Sequence, residues 1–370
     1  MESIPVPDDL LRLDEALLAL PNRPAVFLLW PKDGEPYLAR TALLRRRLLR
    51  LLGKRDKPSR ILNLRHTVAR IDYWLTGSSL ESGLRMYELA RRHFPRTYLD
   101  LLRLRMPPYV KIVLANRFPR SLVTTQVGGG PGFYYGPFRS RASAERFESQ
   151  LLDLFQMRRC EEDLEPSPAH PGCIYGEMGM CLRPCQGVVG EDEYRHEVGR
   201  VIEFLSTGGR ALAARAAAER ERLSEELNFE EAARQHRRLE KIQEALKSRD
   251  ELARDIAALH GVAVAGSSQP DAVELWFCHR GWWQAPQRLS FEVVEGRSEP
   301  LDEKIRRLAA GIEWRTGGVR ERQEHLALLA RWFYSSWRDG EWIEFESLEK
   351  IPYRKLVRAI SRIAVKPRGS

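Results

Sequence analysis

Cysteine is scarce in this chain, with five among 370 residues. No apolar run approaches the roughly 18 residues of a membrane-spanning helix. The opening stretch, MESIPVPDDL, is acidic and has no signal-peptide core. Neither a membrane span nor secretion is expected, and the sequence reads as cytoplasmic. That compartment disfavours structural disulfides, so clustered cysteines there point to metal ligation or catalysis. The glycine-rich stretch Gly128-Gly129-Gly130-Pro131-Gly132 is followed by no Lys-Ser/Thr pair, which argues against a phosphate-binding P-loop.

Positive charge, by contrast, is abundant. Lys and Arg number 60 against 51 Asp and Glu, for a net charge of +9. The excess is uneven, dense from Arg40 to Arg70 and again from Arg85 to Arg120. Such patches neutralise phosphates and release counterions, so a nucleic acid is the expected partner. The length suits two or three domains, and 43% apolar residues suffice for ordinary cores.

Four of the cysteines, Cys160, Cys173, Cys181 and Cys185, share one segment rich in Pro and Gly. That composition favours neither helix nor strand. Four thiolates on a metal would fix the shape that packing cannot, and zinc and an iron–sulfur cluster are both compatible with the spacing. Cys278 stands alone in an apolar strand and reads as a small buried hydrophobe.

Along the chain, an amphipathic helix is expected within residues 1–20. Ala25 to Trp30 suits a buried strand, Pro31 to Gly34 a turn, and Glu35 to Ala39 a returning strand. A helix over 41–52 sets Leu43, Leu44, Leu48, Leu51 and Leu52 against Arg45, Arg46, Arg47 and Arg50. A strand with a turn over 60–75 and a helix over 79–94, stopped before Pro95, complete a small α/β region. A strand at 109–114, aromatics Tyr134, Tyr135 and Phe138, and a helix capped by Ser140 or Ser143 precede the cysteines. Helices over 191–205, 211–226 and 229–248 follow. Strands at 261–265, 272–278 and 287–294 and helices at 301–310 and 323–337 close the chain in a Trp-rich region.

The hairpin, the Arg-rich helix and the helix entering His93-Phe94-Pro95-Arg96, followed by Tyr135-Gly136-Pro137-Phe138, the cysteine spacing and Leu227-Asn228-Phe229-Glu230-Glu231-Ala232-Ala233, resemble the bacterial excinuclease subunit UvrC over about residues 20–260. The resemblance implies an N-terminal GIY-YIG nuclease fold, a 4Fe–4S cluster on Cys160, Cys173, Cys181 and Cys185, and a UVR helical hairpin that docks the helicase subunit UvrB through Leu227, Phe229, Glu230, Ala232 and Ala233. It also implies a tyrosine pair, a helix arginine and a glutamate-bound divalent metal for cutting DNA. Here the first tyrosine position carries Phe27, and the second matches Tyr37. Ala39 replaces the motif glycine, while Arg40 and Arg47 match its basic residues. Met86 stands at the glutamate position and offers no oxygen to a hard cation. Glu81 and Glu88 are near in sequence, but helix geometry turns Glu88 away from that position. The expected catalytic remnant is therefore Tyr37, Arg40 and Arg47, with no firm place for a metal.

The resulting expectation is a multidomain α/β and α+β chain: a GIY-YIG-like domain at 1–108, a linker with the cysteine cluster at 109–190, helices with the UVR hairpin at 191–258, and a Trp-rich α+β domain at 259–370. No Asp-x-Ser-His signature of UvrC's second, RNase H-like nuclease is found, so this last region resembles at most a reduced form of its beginning. The cluster's arginine neighbours Arg158, Arg159 and Arg183 are candidates to face DNA. The expected function is DNA and UvrB binding in nucleotide excision repair with a degenerate nuclease site. The alternatives are an active metal-dependent nuclease and a scaffold outside repair.

Overall fold

The apolar run after Arg23 becomes the buried heart of the first of three antiparallel sheets. A computed structural model describes residues 1–7, 10–54, 64–291 and 299–365. The first sheet comprises β1 (Glu2–Pro5), β2 (Ala25–Pro31), β3 (Tyr37–Thr41) and β4 (Val68–Leu75), in the order β1-β4-β2-β3. Residues Ala25 to Leu29 are all buried, so both faces of β2 are covered. Period-2 alternation sends Ala25, Phe27 and Leu29 toward α1 (Leu10–Ala19) and α2 (Leu44–Leu52). Val26 and Leu28 point the other way, toward α3 (Ser79–His93) and α4 (Tyr98–Leu102). α2 buries Leu44, Leu48, Leu51 and Leu52 and leaves its arginines outward. β1 was not expected from the sequence, because its four residues carry too short a pattern. Of the expected strand and turn over 60–75, residues 60–63 lie outside the described residues.

The second sheet has the order β6-β5-β7-β8, from β5 (Tyr109–Val113), β6 (Arg120–Thr124), β7 (Gly132–Gly136) and β8 (Arg254–Asp255). α5 (Arg141–Leu154) starts in a reciprocal Ser140/Ser143 capping box. Its Phe147 stacks on Tyr135 at 5.2 Å. The cysteine segment follows, holding the short α6 (Ile174–Glu177). Then come α7 (Glu191–Ser206), α8 (Arg210–Glu225) and α9 (Phe229–Lys247). β8 returns to pair with β7, Asp255 opposite Tyr135, so the helical excursion leaves from and returns to one sheet.

The third sheet consists of β9 (Gly261–Gly266), β10 (Ala272–His279), β11 (Trp282–Trp283), β12 (Gln287–Ser290) and β13 (Gly340–Glu344). Residues 292–294 of the expected third strand lie outside the described residues. One face, with Val262, Val264, Leu275 and Phe277, packs on α10 (Leu301–Ala310) and α12 (Tyr353–Val365). The other carries Ala263, Ala265, Trp276 and Trp283 into a core shared with α3 and α11 (Val319–Phe333). Small residues on β9 make room for the indoles there: a Cβ on Gly261 would lie 2.1 Å from the Trp342 ring. The expected helix at 323–337 instead starts at Val319, directly after Gly318, and ends at Phe333.

The first and third sheets are locked together across this core. The Tyr87 and Tyr98 hydroxyls donate to the buried Glu324 carboxylate at 2.6 and 2.5 Å, and Arg320 Nε donates at 3.0 Å. Ser79 Oγ donates to Asp339, and Gly77 packs against the Ser267 backbone too closely for any side chain. The architecture is thus mixed helix and sheet in several layers. Among the described residues no helix is long and apolar enough to cross a membrane.

Candidate functional site

Beyond its local turns, the cysteine segment is tied by Ser167 N donating to Cys185 O at 2.9 Å and Leu182 N to Gln156 O at 3.1 Å, and by the Gln156 side-chain Nε2 donating to Gly179 O at 2.7 Å. Between these ties the chain turns through left-handed residues, Arg183 at φ 56° among them. Cys181 and Cys185 are buried, Cys160 is half-buried and Cys173 is exposed. Burial pushes the Cys181 thiol up to about 11, with further increments from Cys160, Cys173 and Cys185. Cys185 is raised by burial and then by Cys160 and Cys173. Cys160 and Cys173 are thus near enough to Cys181 and Cys185 to act on them electrostatically. As placed, no group of three or more His, Cys, Asp or Glu among the described residues is arranged to hold a metal ion.

Arg158 braces this segment from inside. It is only 1% exposed. Its Nε donates to Phe118 O at 2.9 Å, and its Nη1 to Glu162 O at 2.7 Å and to Cys160 Sγ at 3.5 Å. Among the described residues it makes no ion pair with a carboxylate. The backbone N–H of Arg183 donates to Cys181 Sγ at 3.4 Å. Donors aimed at sulfur and a charge-compensating guanidinium fit thiolates that bind a metal or a cluster. The same burial overturns the expectation that Arg158 faces DNA. Arg159 pairs with Asp153 at 2.6 Å and lies over the Tyr175 ring, which leaves Arg183 as the outward-facing member of the three.

In the N-terminal module the expected catalytic residues separate. Arg47 Nη2 on α2 donates to the Tyr37 hydroxyl on β3 at 3.3 Å. Phe27 is fully buried beside Tyr37, with ring centroids 6.2 Å apart, and Ala39 pairs with it across the strands. Arg40, an odd number of positions from Tyr37, projects from the opposite face. It lines a cavity of about 210 Å3 together with Met86, Arg103, Arg331, Trp332 and Trp337. No acidic residue lines that cavity. Glu88 pairs with Arg85 at 2.9 Å. Glu81 is buried and accepts from Gly77 N at 2.7 Å, and burial raises its carboxyl above the usual range. Neither glutamate joins Met86. The sequence could not reveal Arg331 and Trp337 as neighbours of Arg40, since they arrive from the far end of the chain.

α8 and α9 form an antiparallel hairpin whose seam buries Leu212, Ala216 and Leu223 against Ala232, Leu239 and Ile242. At its tip the Asn228 side chain caps α9, accepting from Glu231 N. Leu227 and Phe229 are 71% and 65% exposed. Glu230 and Ala233 are exposed as well, whereas Ala232 lies in the seam and is not available at the tip. The two alanines expected to dock together thus part, because Ala233 sits one residue, or 100°, round the helix from Ala232.

Residues 108–204 match the family model for the middle domain of the UvrC/Cho excinuclease, a span containing β5 to β7, α5 and all four clustered cysteines. The chain is 27% identical over 290 residues to the UvrABC system protein C of Lachnospira eligens, covering 78% of this chain and 47% of that protein. The same-named protein of Moorella thermoacetica is 30% identical over 270 residues, covering 73% and 44%. That of Caldanaerobacter subterraneus is 27% identical over 292 residues, covering 77% and 46%. No solved structure matches. The chain is UvrC-like over about three quarters of its length and spans about half the length of the curated relatives it matches.

Proposed function

We propose that this chain is a DNA-binding protein of nucleotide excision repair that docks a UvrB-like helicase subunit through the α8–α9 hairpin. The observation that carries this reading is the exposed apolar pair Leu227 and Phe229 at the tip of a hairpin in a UvrC-like chain. Two such side chains, rimmed by the charged Glu226, Glu230 and Glu231, suit insertion into an apolar pocket on a partner. Co-precipitation of purified UvrB by this chain tests it. Phe229→Glu should abolish capture while leaving the fold intact, because the side chain is 65% exposed and outside the buried seam. Capture undiminished by Phe229→Glu, or none by the unaltered chain, removes the docking proposal and leaves the scaffold alternative.

The same reading assigns Cys160, Cys173, Cys181 and Cys185 as ligands of a 4Fe–4S cluster. Bound there, the cluster would supply iron–sulfur bonds in place of the packing the segment lacks. The chain's own contribution would be to bring Cys160 and Cys173 to the buried Cys181 and Cys185, with Arg158 beside the Cys160 sulfur and the Arg183 N–H on that of Cys181. Anaerobically purified protein should be brown, with iron and sulfide in equal amounts. Colourless protein carrying one zinc would replace the cluster with zinc.

The GIY-YIG-like site is read as non-cutting. Phe27 cannot relay a proton, and Met86 cannot hold a divalent metal. The module then contributes a basic face rather than chemistry. The preserved Tyr37–Arg47 contact favours the second reading, a metal-dependent nuclease. Nicking of lesion-bearing duplex with magnesium or manganese decides between them. Within this proposal the C-terminal sheet is a reduced counterpart of the second, RNase H-like domain, with α11 turned onto the N-terminal module.

A further inference from the structure

The cavity between β3, α3, α4 and α11 contains two of the motif positions, Arg40 and Met86, but has so far been given no ligand. Three arginines from distant parts of the chain, Arg40, Arg103 and Arg331, converge on it. Among the described residues none of the three forms an ion pair with a carboxylate. Arg331 is held by one bond, from its Nη1 to Leu102 O at 2.9 Å. Both Arg40 and Arg331 line the cavity, and burial, and then the charge of Arg40, lower the hold of Arg331 on its proton. Like charges brought together without a counter-ion are relieved by an anion.

The floor is apolar, formed by Leu80, Leu84, Met86 and Leu328, with Trp332 behind it. At the rim stand two apolar side chains that the fold leaves uncovered, Leu101 at 44% and Trp337 at 46% exposure. A ligand that meets both parts must carry a flat apolar ring and negative charge. A volume of about 210 Å3 falls below the roughly 300–1,000 Å3 of pockets that enclose drug-sized ligands. It has room for one ring system rather than a folded cofactor. The neighbouring cleft, about 650 Å3, is larger, but Glu88, Glu313 and Glu321 offset its Arg91, Arg92 and Arg315. Charge therefore singles out the smaller cavity.

We propose that this cavity takes a single unpaired nucleotide of a DNA strand, with the base against Trp337 and Leu101 and the flanking phosphates on Arg40, Arg103 and Arg331. The proposal rests on the DNA-binding reading above and deepens it. A base inside a duplex cannot reach Trp337 without leaving its stack, so the site discriminates for unpaired strands.

The test is fluorescence anisotropy of the full chain with a fluorescein-labelled 20-mer of thymidine and with a blunt duplex of the same length. The chain should prefer the single strand. Trp337→Ala should weaken single-strand binding by roughly five- to a hundred-fold and duplex binding little, and Trp337→Phe should restore most of the loss. Arg40→Ala, Arg103→Ala and Arg331→Ala should each flatten the salt dependence of log K by about 0.7. Arg40 and Arg103 are exposed, so their variants report on binding even if loss of the Arg331 bond disturbs α4. Wild-type affinity and salt slope in the Trp337 and arginine variants, or equal loss on both probes in Trp337→Ala, overturns the site while general DNA binding stands. Absence of binding to either probe by the unaltered chain removes the DNA-binding reading and the site together.

Discussion

The N-terminal sheet and the cysteine segment hold their shapes by opposite means. In the sheet, Ala25 to Leu29 are buried on both faces, and α1, α2 and α3 close over them. The residues with a chemical pedigree, Tyr37, Arg40 and Arg47, sit outside that core, and Phe27 packs better than a tyrosine there would, having no hydroxyl to satisfy. Chemistry can leave such a module without disturbing its fold. In the cysteine segment the order is reversed. Its regular structure amounts to α6 and one further turn, and Cys181, Cys185 and Arg158 are buried there, with Leu164 and Leu182 packed beside them. On the proposed ligation by the four cysteines, the chemical residues there are themselves the fold.

The strongest way to break this contrast is Cys181→Ser. If the sulfurs organise the segment, the substitution should remove the visible absorbance entirely and open residues 160–185 to limited proteolysis, with the N-terminal sheet untouched. Equal protease resistance in the variant would show that backbone ties alone suffice.

Next in size is Glu324→Ala, which tests whether the N-terminal sheet owes its rigidity to its own core or to the third sheet. The carboxylate is 1% exposed and accepts from Tyr87, Tyr98 and Arg320. Its removal leaves the two buried tyrosine hydroxyls without their acceptor, while the exposed Arg320 turns to water, and should cost about 2–6 kcal/mol in urea unfolding. Two separate transitions in the variant would show that the sheets then unfold independently.

Much of this frame is legible in the sequence, and the reasons differ by region. Ala25 to Trp30, the Leu/Arg alternation of α2, the Ser140 cap and the break at Asn228 announce themselves through local periodicity and capping chemistry. So does the third sheet's start, an apolar run from Gly261. What stays hidden is contact across long separations. Nothing local tells that Glu324 accepts from Tyr87, that Arg158 turns inward onto Cys160, or that Arg331 and Trp337 complete a cavity with Arg40. The motif reading placed Tyr37, Arg40 and Arg47 together, and only the pleat of β3 separates them.

Acid sharpens the same contrast with a smaller effect. His325 lines the shared core, and its Nδ1 accepts from Trp283 N at 3.0 Å. Burial holds its imidazole down to about 4. The folded state therefore prefers the neutral ring, while the unfolded chain takes up a proton below its ordinary value of 6.5. Stability should be full above that value and fall as pH drops from 6.5 toward 4, by roughly 3 kcal/mol from this group. His260, also held at about 4 by burial, should add to the slope. His325→Gln should flatten part of the pH dependence measured by urea midpoint, and the cysteine segment's proteolysis pattern should not follow it.

The smallest expected effect is the most decisive for the N-terminal module. Tyr37→Phe removes one hydroxyl, which receives a single long bond of 3.3 Å from Arg47. The ring keeps its place beside Phe27, so stability should change by no more than about 1 kcal/mol. If the site no longer cuts, the variant and the unaltered chain should leave supercoiled plasmid equally intact with magnesium or manganese present, and DNA affinity should be the same for both. A metal-dependent nicking activity that disappears with this one oxygen would show the reverse: that Tyr37 and Arg47 still act on a phosphate, that a carboxylate other than one at position 86 serves the metal, and that chemistry has stayed in the sheet after all.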